Sequence, residues 1–338
     1  MTDPTVSVAL ATFNGKRFIE AQLRSILEQS QRPTEIVVSD GGSTDATLEI
    51  VRGVLNAAAV GLSVTVISDG TRLGVVENFE RAIAATTGEL VMLSDQDDIW
   101  HPDRTAWAVT AFEDPALLLL HGNARLIDAD GAPLGEELFD ALRIGQTERE
   151  TICGEAAFAL LIRRNLVTGA TATFRRSLLA DALPIPPAWV HDEWLAAIAA
   201  ATGRLRADDR AVIDYRQHGA NAIGVRRLSR AQRIAKTFEP RNGRLIALSA
   251  RADALAVRLR ILEVAERWQT LAHRKAEFER VRADYPRSRF CRLLPVLRQW
   301  RAGRYAKLAS QGNADIVRDL VQSAGVEPRV GHGLAPAG

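Results

Sequence analysis

The sequence predicts an α/β fold: a mostly parallel β-sheet with helices on both faces, followed by a C-terminal helical segment. Three observations carry this. Four apolar runs, at residues 5–11, 35–39, 63–68 and 90–93, alternate within the first hundred residues with stretches whose apolar side chains recur at helical spacing. The run LVML at 90–93 lacks the polar alternation of a half-exposed strand, as a central strand covered on both faces does. After residue 226 Arg and Ala replace the strand formers, with Leu245, Leu248, Leu255, Leu259, Leu262 and Trp268 at mostly helical spacing.

In order, the first strand, TVSVALA, is stopped by Thr12, Phe13, Asn14 and Gly15, and a helix with Phe18, Leu23, Ile26 and Leu27 on one stripe follows. Pro33 closes that connection. The second strand runs into Ser39, Asp40, Gly41, Gly42 and Ser43, with a helix starting near Ala46; glycines for a tight turn and Ser, Thr or Asp for a cap suit such a joint. Asp40 precedes both and is either a turn former or a site residue. The third strand turns through Asp69 and Gly74 into a helix bearing Val76, Phe79, Ile83 and Ala84, which Gly88 ends. Right-handed crossovers then place the loops holding Thr12, Asp40, Arg72 and residues 95–98 on one rim.

The fourth strand ends in SDQDDIW, residues 94–100. Asp95, Asp97 and Asp98 are close enough to repel one another unless a cation neutralises them. Oxygen ligands select a hard ion, Mg2+ or Mn2+, of the kind that bridges carboxylates to substrate phosphates. The bland alternative is a solvated acidic turn. No GxGxxG follows the first strand and no GxxxxGK[ST] occurs anywhere, so neither an ordinary dinucleotide fold nor a P-loop enzyme is supported.

Further on, residues 116–124 read as a strand ending at His121 and Asn123, residues 128–135 as a turn-rich loop, and residues 168–174 as a small, polar stretch before a helix at Arg176, whose bland reading is a strand packed closely against a helix through Gly169 and Ala170. A helix starts at His191, Asp192, Glu193 and Trp194 and stops at Gly203; carboxylates in a first turn ordinarily serve the helix dipole. Residues 204–208 and 211–215 read as a short hairpin whose exit, from Tyr215 to Asn221, is too polar for a buried strand. Near the end, Phe290, Leu293, Leu294, Leu297 and Trp300 share a helix face flanked by Arg287, Arg289, Arg292, Arg298, Arg301 and Arg304. That pattern fits a helix lying on anionic lipid and equally one docked on the rest of the protein. Residues 327–338 read as disordered.

The 338 residues, 47% of them apolar, suffice for a sizeable core. The net charge of +2 hides an asymmetry: residues 226–310 hold 22 Lys or Arg against 7 Asp or Glu, which leaves the remainder strongly acidic. No aromatic stacking platform accompanies the arginines, which speaks against nucleic acid. Cys153 and Cys291 form no metal-spaced or redox pair, and a reducing, cytoplasmic setting is expected. The first residues show no basic region leading into a long apolar core, so no signal peptide is expected, and no apolar run is long enough to span a bilayer.

Four blocks, VSVALATFNG, EIVVSDGGSTDAT, LGVVENFERAIAATTGELVMLSDQDDIWHP and HDEWLAAIAAATG with YRQHGANAIG, resemble in order a family 2 glycosyltransferase of the inverting, Rossmann-like GT-A type, most of all its bacterial rhamnosyltransferase-like branch. The resemblance covers residues 5–225. It implies a transferase domain at 1–225, with a nucleotide-binding half at 1–100 and an acceptor and catalytic half at 101–225, ahead of a basic helical region at 226–326. Thr12, Asn14 and Asp40 match nucleotide-contacting positions, with Asp40 accepting from the base imide. Asn78 matches an asparagine that many members precede with Arg, where this chain has Glu77. Asp95 and Asp97 match the Asp-x-Asp pair that holds the ribose and the metal-bound diphosphate; Asp98 and Trp100 extend the motif. Asp192 occupies the catalytic-base position, with Glu193 the nearest competitor. His218 joins the metal or diphosphate shell, while Arg216 and Asn221 help close a loop over the donor. The implied activity is metal-dependent transfer of a sugar, rhamnose among the candidates, from a dTDP- or UDP-linked donor to a glycan or lipid-linked acceptor in surface polysaccharide biosynthesis. The competing reading is an inactive nucleotide-sugar-binding protein of the same fold.

Overall fold

The computed structural model describes residues 4–58, 60–219 and 242–323. The chain divides into two compact units, one built from Met1–Arg227 and Leu259–Trp268, the other from Leu228–Arg258 and Gln269–Gly338. The 327–338 tail expected to be disordered lies outside the described residues, as does Asn221.

The first unit opens with β1 (Val6–Thr12), α1 (Ile19–Leu27), β2 (Glu35–Asp40), α2 (Thr47–Ala57), β3 (Ser63–Ile67), α3 (Val75–Ala84) and β4 (Leu90–Ser94). These strands pair in parallel in the order β3-β2-β1-β4, with Thr12 opposite Asp40 and Leu10 opposite Ser94. The α/β expectation therefore holds. β1, β2 and β4 are buried along almost their whole length because helices cover both faces, and β4 has no exposed residue.

The sheet continues through β5 (Ile99–Trp100), α4 (Arg104–Ala111), β6 (Leu117–Ile127), β7 (Pro133–Glu137), α5 (Leu138–Leu142), α6 (Gln146–Ile152), α7 (Ala157–Leu161), β8 (Ala172–Arg175), α8 (Leu179–Ala182), α9 (His191–Thr202) and β9 (Arg204–Arg216). Among the described residues nine strands make one sheet, in which β8 runs antiparallel to β4 and β6, β9 parallel to β6, and β5 antiparallel to β9. α9 is apolar nearly all round, and all its residues from Trp194 to Ala201 are buried, as an alanine-rich helix inside a core must be.

Three expectations change here. The hairpin expected at 204–215 is one continuous strand: Gly122 pairs with Asp208 and Asn123 with Ala211, so Asp209 and Arg210 bulge out of the ladder. A Cβ on Gly122 would stand 3.0 Å from the Arg210 carbonyl, so the bulge needs glycine opposite it. β6 does not end at His121 and Asn123 but passes through both to Ile127. The loop expected at 128–135 is a short turn: Asp128 accepts from the N–H groups of Asp130 and Ala132 at 2.9 Å, and the chain returns as β7. In the 168–174 stretch the strand reading holds for the second half as β8, while the first half is a single 3-10 turn, Gly169–Thr171, with Gly169 packed against α9.

The second unit is helical: α10 (Asn242–Ile261, whose last turn belongs to the first unit), α11 (Glu266–Ala283), α12 (Arg289–Arg301), α13 (Arg304–Leu308) and α14 (Ala314–Val321). Its core is small, built on Phe278, Tyr285, Val296, Tyr305 and Leu308, and beside it lies a network of buried charges. Arg282 donates to both carboxylate oxygens of Asp319 at 2.7 and 3.0 Å and to Glu279 at 2.9 Å. Lys275 donates to Glu279 and to the Leu308 carbonyl, and the Tyr305 hydroxyl donates to Asp319 at 2.7 Å. Arg292, expected at the solvent rim of its helix, is buried instead and caps the carbonyls of Pro286, Arg287, Asp319 and Gln322.

Candidate active site

β4 delivers Asp95, Asp97 and Asp98 to the carboxyl edge of the parallel strands, where such sheets place their ligands. Asp98 is buried; one oxygen accepts the Arg216 N–H at 3.0 Å and the other has no hydrogen-bond partner. Asp97 meets the His218 ring nitrogen at 2.7 Å, and its carbonyl accepts from the Arg216 guanidinium at 2.8 Å. Burial, then the charges of Asp97 and Asp192, pushes Asp95 up to about 7, with Arg104 pulling the other way. Burial, with Asp97 and Asp95 adding to it, also holds Asp98 well above the usual carboxylate range.

Arg104 is the positive group of this cluster. It lies almost wholly buried at the start of α4, its guanidinium 3.8 Å from the centre of the Trp100 ring and within 3.2 Å of the Leu93 carbonyl. Burial lowers it to about 9 against the pull of Asp98 and Asp95. No spacing in the sequence singles it out, because only the fold puts α4 beneath the acidic loop.

Across the same pocket stands Asp192, in the first turn of α9. The pocket is lined by Val75, Asp95, Asp97, Gly169, Asp192 and Tyr215 among others, and neither Glu193 nor Asp98 is among its walls. Asp192 accepts from the Gly169 N–H at 2.9 Å and from the Glu193 N–H at 2.7 Å, which fixes both carboxylate oxygens. Gly169 makes this possible: a Cβ there would lie 3.0 Å from His191 Nε2 and 3.3 Å from Asp192 Cβ. His191 is pinned in turn, stacked on Phe79 with 4.0 Å between ring centroids. Tyr215, next to last in β9, also lines this space and was not legible as a wall while 204–215 read as a hairpin.

Thr12 and Asp40 meet at neighbouring strand ends, with Thr12 donating to Asp40 at 2.9 Å. The other acceptor sites of the Asp40 carboxylate take the N–H groups of Gly42 and Ser43 and the Ser43 hydroxyl. With about four lone-pair directions on a carboxylate, Asp40 is occupied in shaping its own loop. Asn14, in the left-handed region at φ 47°, accepts from the Thr44 N–H at 2.8 Å and so joins the same loop. Asn78 is buried and bridges the strands, donating to the Thr12 carbonyl and accepting from Ser39. Arg81, one helical turn later, donates to Ser39 and to the Asp40 carbonyl. Glu77, where an arginine was the family expectation, caps α3 by accepting the Gly74 N–H at 3.0 Å. Gln96 exchanges two hydrogen bonds with the backbone of Phe13, which clamps this loop to the acidic one.

Arg216 differs most from its expected role. It is buried in β9 rather than poised in an open loop, and it donates to the carbonyls of Asp97, Asp128 and Ala129. It braces the acidic loop against the turn after β6. Among the described residues no three His, Cys, Asp or Glu side chains are grouped to enclose a metal ion by themselves.

Residues 7–181 match the model of glycosyl transferase family 2. Among curated proteins, the chain is 24% identical over 223 residues to an uncharacterized glycosyltransferase of Nostoc sp., covering 64% of this chain and 66% of that one. It is 36% identical over 105 residues to the dTDP-rhamnosyl transferase RfbG of Shigella flexneri, covering 30% and 35%. The matched stretches thus span under two thirds of these relatives. Among solved structures, TarS 1-349 of S. aureus in complex with UDP-GlcNAc superposes with a TM-score of 0.57 at 17% identity, covering 94% of this chain and 90% of that one. The mannosyltransferase PcManGT of Pyrobaculum calidifontis in complex with GDP-Man and Mn2+ gives 0.52 at 20% identity, covering 90% and 77%.

Proposed function

Because this chain belongs to glycosyl transferase family 2, we propose that it transfers a sugar from a nucleoside diphosphate to a hydroxyl of a glycan or lipid-linked glycan, with inversion, in the building of a surface polysaccharide. The observation that carries the proposal is that Asp95 and Asp97, from the end of β4, and Asp192, from the start of α9, face one pocket. Inverting transfer is a single displacement: a carboxylate takes the hydroxyl proton while the oxygen attacks the anomeric carbon and the diphosphate leaves from the opposite face. Asp192 is the base in this reading. The Gly169 and Glu193 N–H groups orient its carboxylate, and its reach into the pocket, which Glu193 lacks, selects it over its neighbour.

Asp95 and Asp97 belong to the donor side. Their donor set fits a hard cation: two carboxylates line one pocket, Asp95 is held up by burial and by the charges of Asp97 and Asp192, and one oxygen of Asp98 behind them has no partner. Asp97, with Asp95 beside it and His218 against it, would hold Mg2+ or Mn2+, leaving the remaining positions to phosphate oxygens. When bound, such an ion neutralises charge on the departing diphosphate. Thr12, Asn14, Asp40 and Asn78 shape the loop taken to seat the nucleoside, Asn78 and Asp40 acting through buried bonds rather than as free groups. The Shigella relative makes dTDP-rhamnose the first donor to try, ahead of UDP- and GDP-sugars.

A donor bound by the folded state alone raises its melting temperature by mass action. A panel of nucleotide sugars with Mn2+ should give one clear stabiliser, and that donor should support transfer. Asp192→Asn should then lower turnover roughly 100-fold or more, the range for loss of a general base, while the donor-induced shift survives. If Glu193→Gln has that effect instead, Glu193 is the base. A panel without any stabilising donor overturns the proposal.

A further inference from the structure

α12 is bound to its unit by one side only. Arg292, Val296 and Gln299 are buried, whereas Phe290 is 85% exposed, Leu294 76% and Leu293 55%, and Trp300 is half exposed. These four, with Leu297, fall on one arc of the helix. An apolar groove between α12 and α14 continues that surface, with Ile316 and Leu320 as its far wall. Monomeric soluble proteins rarely leave so many large apolar side chains together in water.

The rim is cationic. Arg289 and Arg298 are exposed on opposite sides of the apolar arc, with Arg301 at its end. From Tyr285 to Ala314 the chain has seven Lys or Arg and no Asp or Glu. Two copies pressed together through this face would bring like charges into contact, which disfavours self-association. An anionic bilayer surface suits both components: apolar side chains sink to the level of the acyl chains while long arginines reach back to the phosphates.

We infer that the outer face of α12, with the α12–α14 groove beside it, docks on an anionic lipid surface. The inference does not depend on the transfer reading, since it concerns a different unit and is tested without substrate. Full-length protein is mixed with vesicles of phosphatidylcholine alone, or of equal parts phosphatidylcholine and phosphatidylglycerol, and sedimented. It should pellet with the anionic vesicles at low salt, be released as salt rises, and remain in solution with the neutral ones. Replacing Arg289, Arg298 and Arg301 together by Gln should lower partitioning about 100-fold, at about 1 kcal/mol per basic residue. Phe290→Ser combined with Leu294→Ser, both at highly exposed positions, should abolish pelleting with the melting temperature kept. Failure of the wild-type protein to pellet at low salt, or equal pelleting with neutral vesicles, overturns the inference. So does a dimer in light scattering that the Phe290→Ser, Leu294→Ser variant turns into monomer, because the face then joins two copies. An acidic protein partner in place of lipid would show as the first of these failures.

Discussion

Gly169→Ala perturbs the proposed base without touching its chemistry. The backbone at Gly169 is not in the left-handed region, so alanine is allowed there by conformation, and the only strain is steric. The new methyl would begin 3.0 Å from His191 Nε2, 3.3 Å from Asp192 Cβ and 3.4 Å from Asp192 Oδ2, where ordinary contacts need about 3.5–4.0 Å. His191 cannot retreat, being buried and stacked on Phe79, so the displacement of about 0.5 Å falls on Asp192 and the turn before β8. Since a misplacement of about 1 Å costs on the order of 100-fold, about 10-fold loss of turnover is expected. Overpacking should also cost about 1–3 kcal/mol of stability, read as a fall of a few degrees in melting temperature. The assay is turnover at saturating donor and acceptor beside the donor-induced thermal shift, which should be preserved. Gly53→Ala is the control: nothing lies within 4 Å of its Cβ position, and alanine inside α2 should raise stability by up to about 1 kcal/mol at unchanged turnover. Wild-type turnover in a folded Gly169→Ala protein would refute the argument that Gly169 sets the carboxylate.

Asp97→Ala should abolish both transfer and the Mn2+ dependence of the donor-induced shift; full wild-type activity in EDTA would remove the metal from the proposal. Arg104→Met strips the buried acidic cluster of its counter-charge and should cost about 3–5 kcal/mol in urea unfolding, so a cost below about 1 kcal/mol would mean that Arg104 does not balance Asp95 and Asp98. His121 is buried with neither ring nitrogen bonded, and burial lowers it to about 4. The fold therefore keeps it neutral while the unfolded chain binds a proton below about 6.5, so stability is complete above that pH and falls as the medium is acidified toward 4. The loss attributable to His121 is about 2 kcal/mol at about pH 5. His121→Leu should remove that part of the slope, leaving one of the same sign from His191, which burial also lowers; an unchanged slope would rule His121 out as its source.

The first hundred residues were legible because each strand there is a short apolar run and each joint carries its own turn chemistry, so local sequence and fold agree. The acidic pair and Asp192 were legible as motifs. Their convergence on one pocket was not, since it depends on β8 inserting antiparallel between β4 and β6. The 204–216 segment misled for an identifiable reason: Asp208, Asp209 and Arg210 have the composition of a turn, but the two extra residues are absorbed as a bulge opposite Gly122. Arg216 misled because its charge suggests solvent, while its actual partners are main-chain carbonyls from two distant loops. In the helical unit the excess of arginine suggested a solvated surface, yet Arg282 and Arg292 are wholly buried, and beside their local partners each bonds a group far along the chain, Arg282 the Asp319 carboxylate and Arg292 the Asp319 and Gln322 carbonyls. Pairings over such separations leave no local signature.

The buried network around Arg282 bears on how the helical unit selects its arrangement. Asp319 receives two guanidinium bonds and one tyrosine hydroxyl, and Glu279 is shared between Lys275 and Arg282. If α14 slid by one turn against α11, Arg282 would lose Asp319 and Asp319 its guanidinium donor, while Glu279, on α11 with Lys275 and Arg282, would keep both, at a cost of several kcal/mol for the charge left bare in the interior. The native register gains far less than the shifted one loses, because desolvation consumes most of the attraction. These ions therefore discriminate between arrangements more than they deepen the correct one. A variant with Lys275, Glu279, Arg282 and Asp319 replaced together by apolar residues of similar volume, so that no partner charge of these pairs is left behind, should melt at the same temperature or higher, yet unfold over a broader range as neighbouring helix registers become accessible.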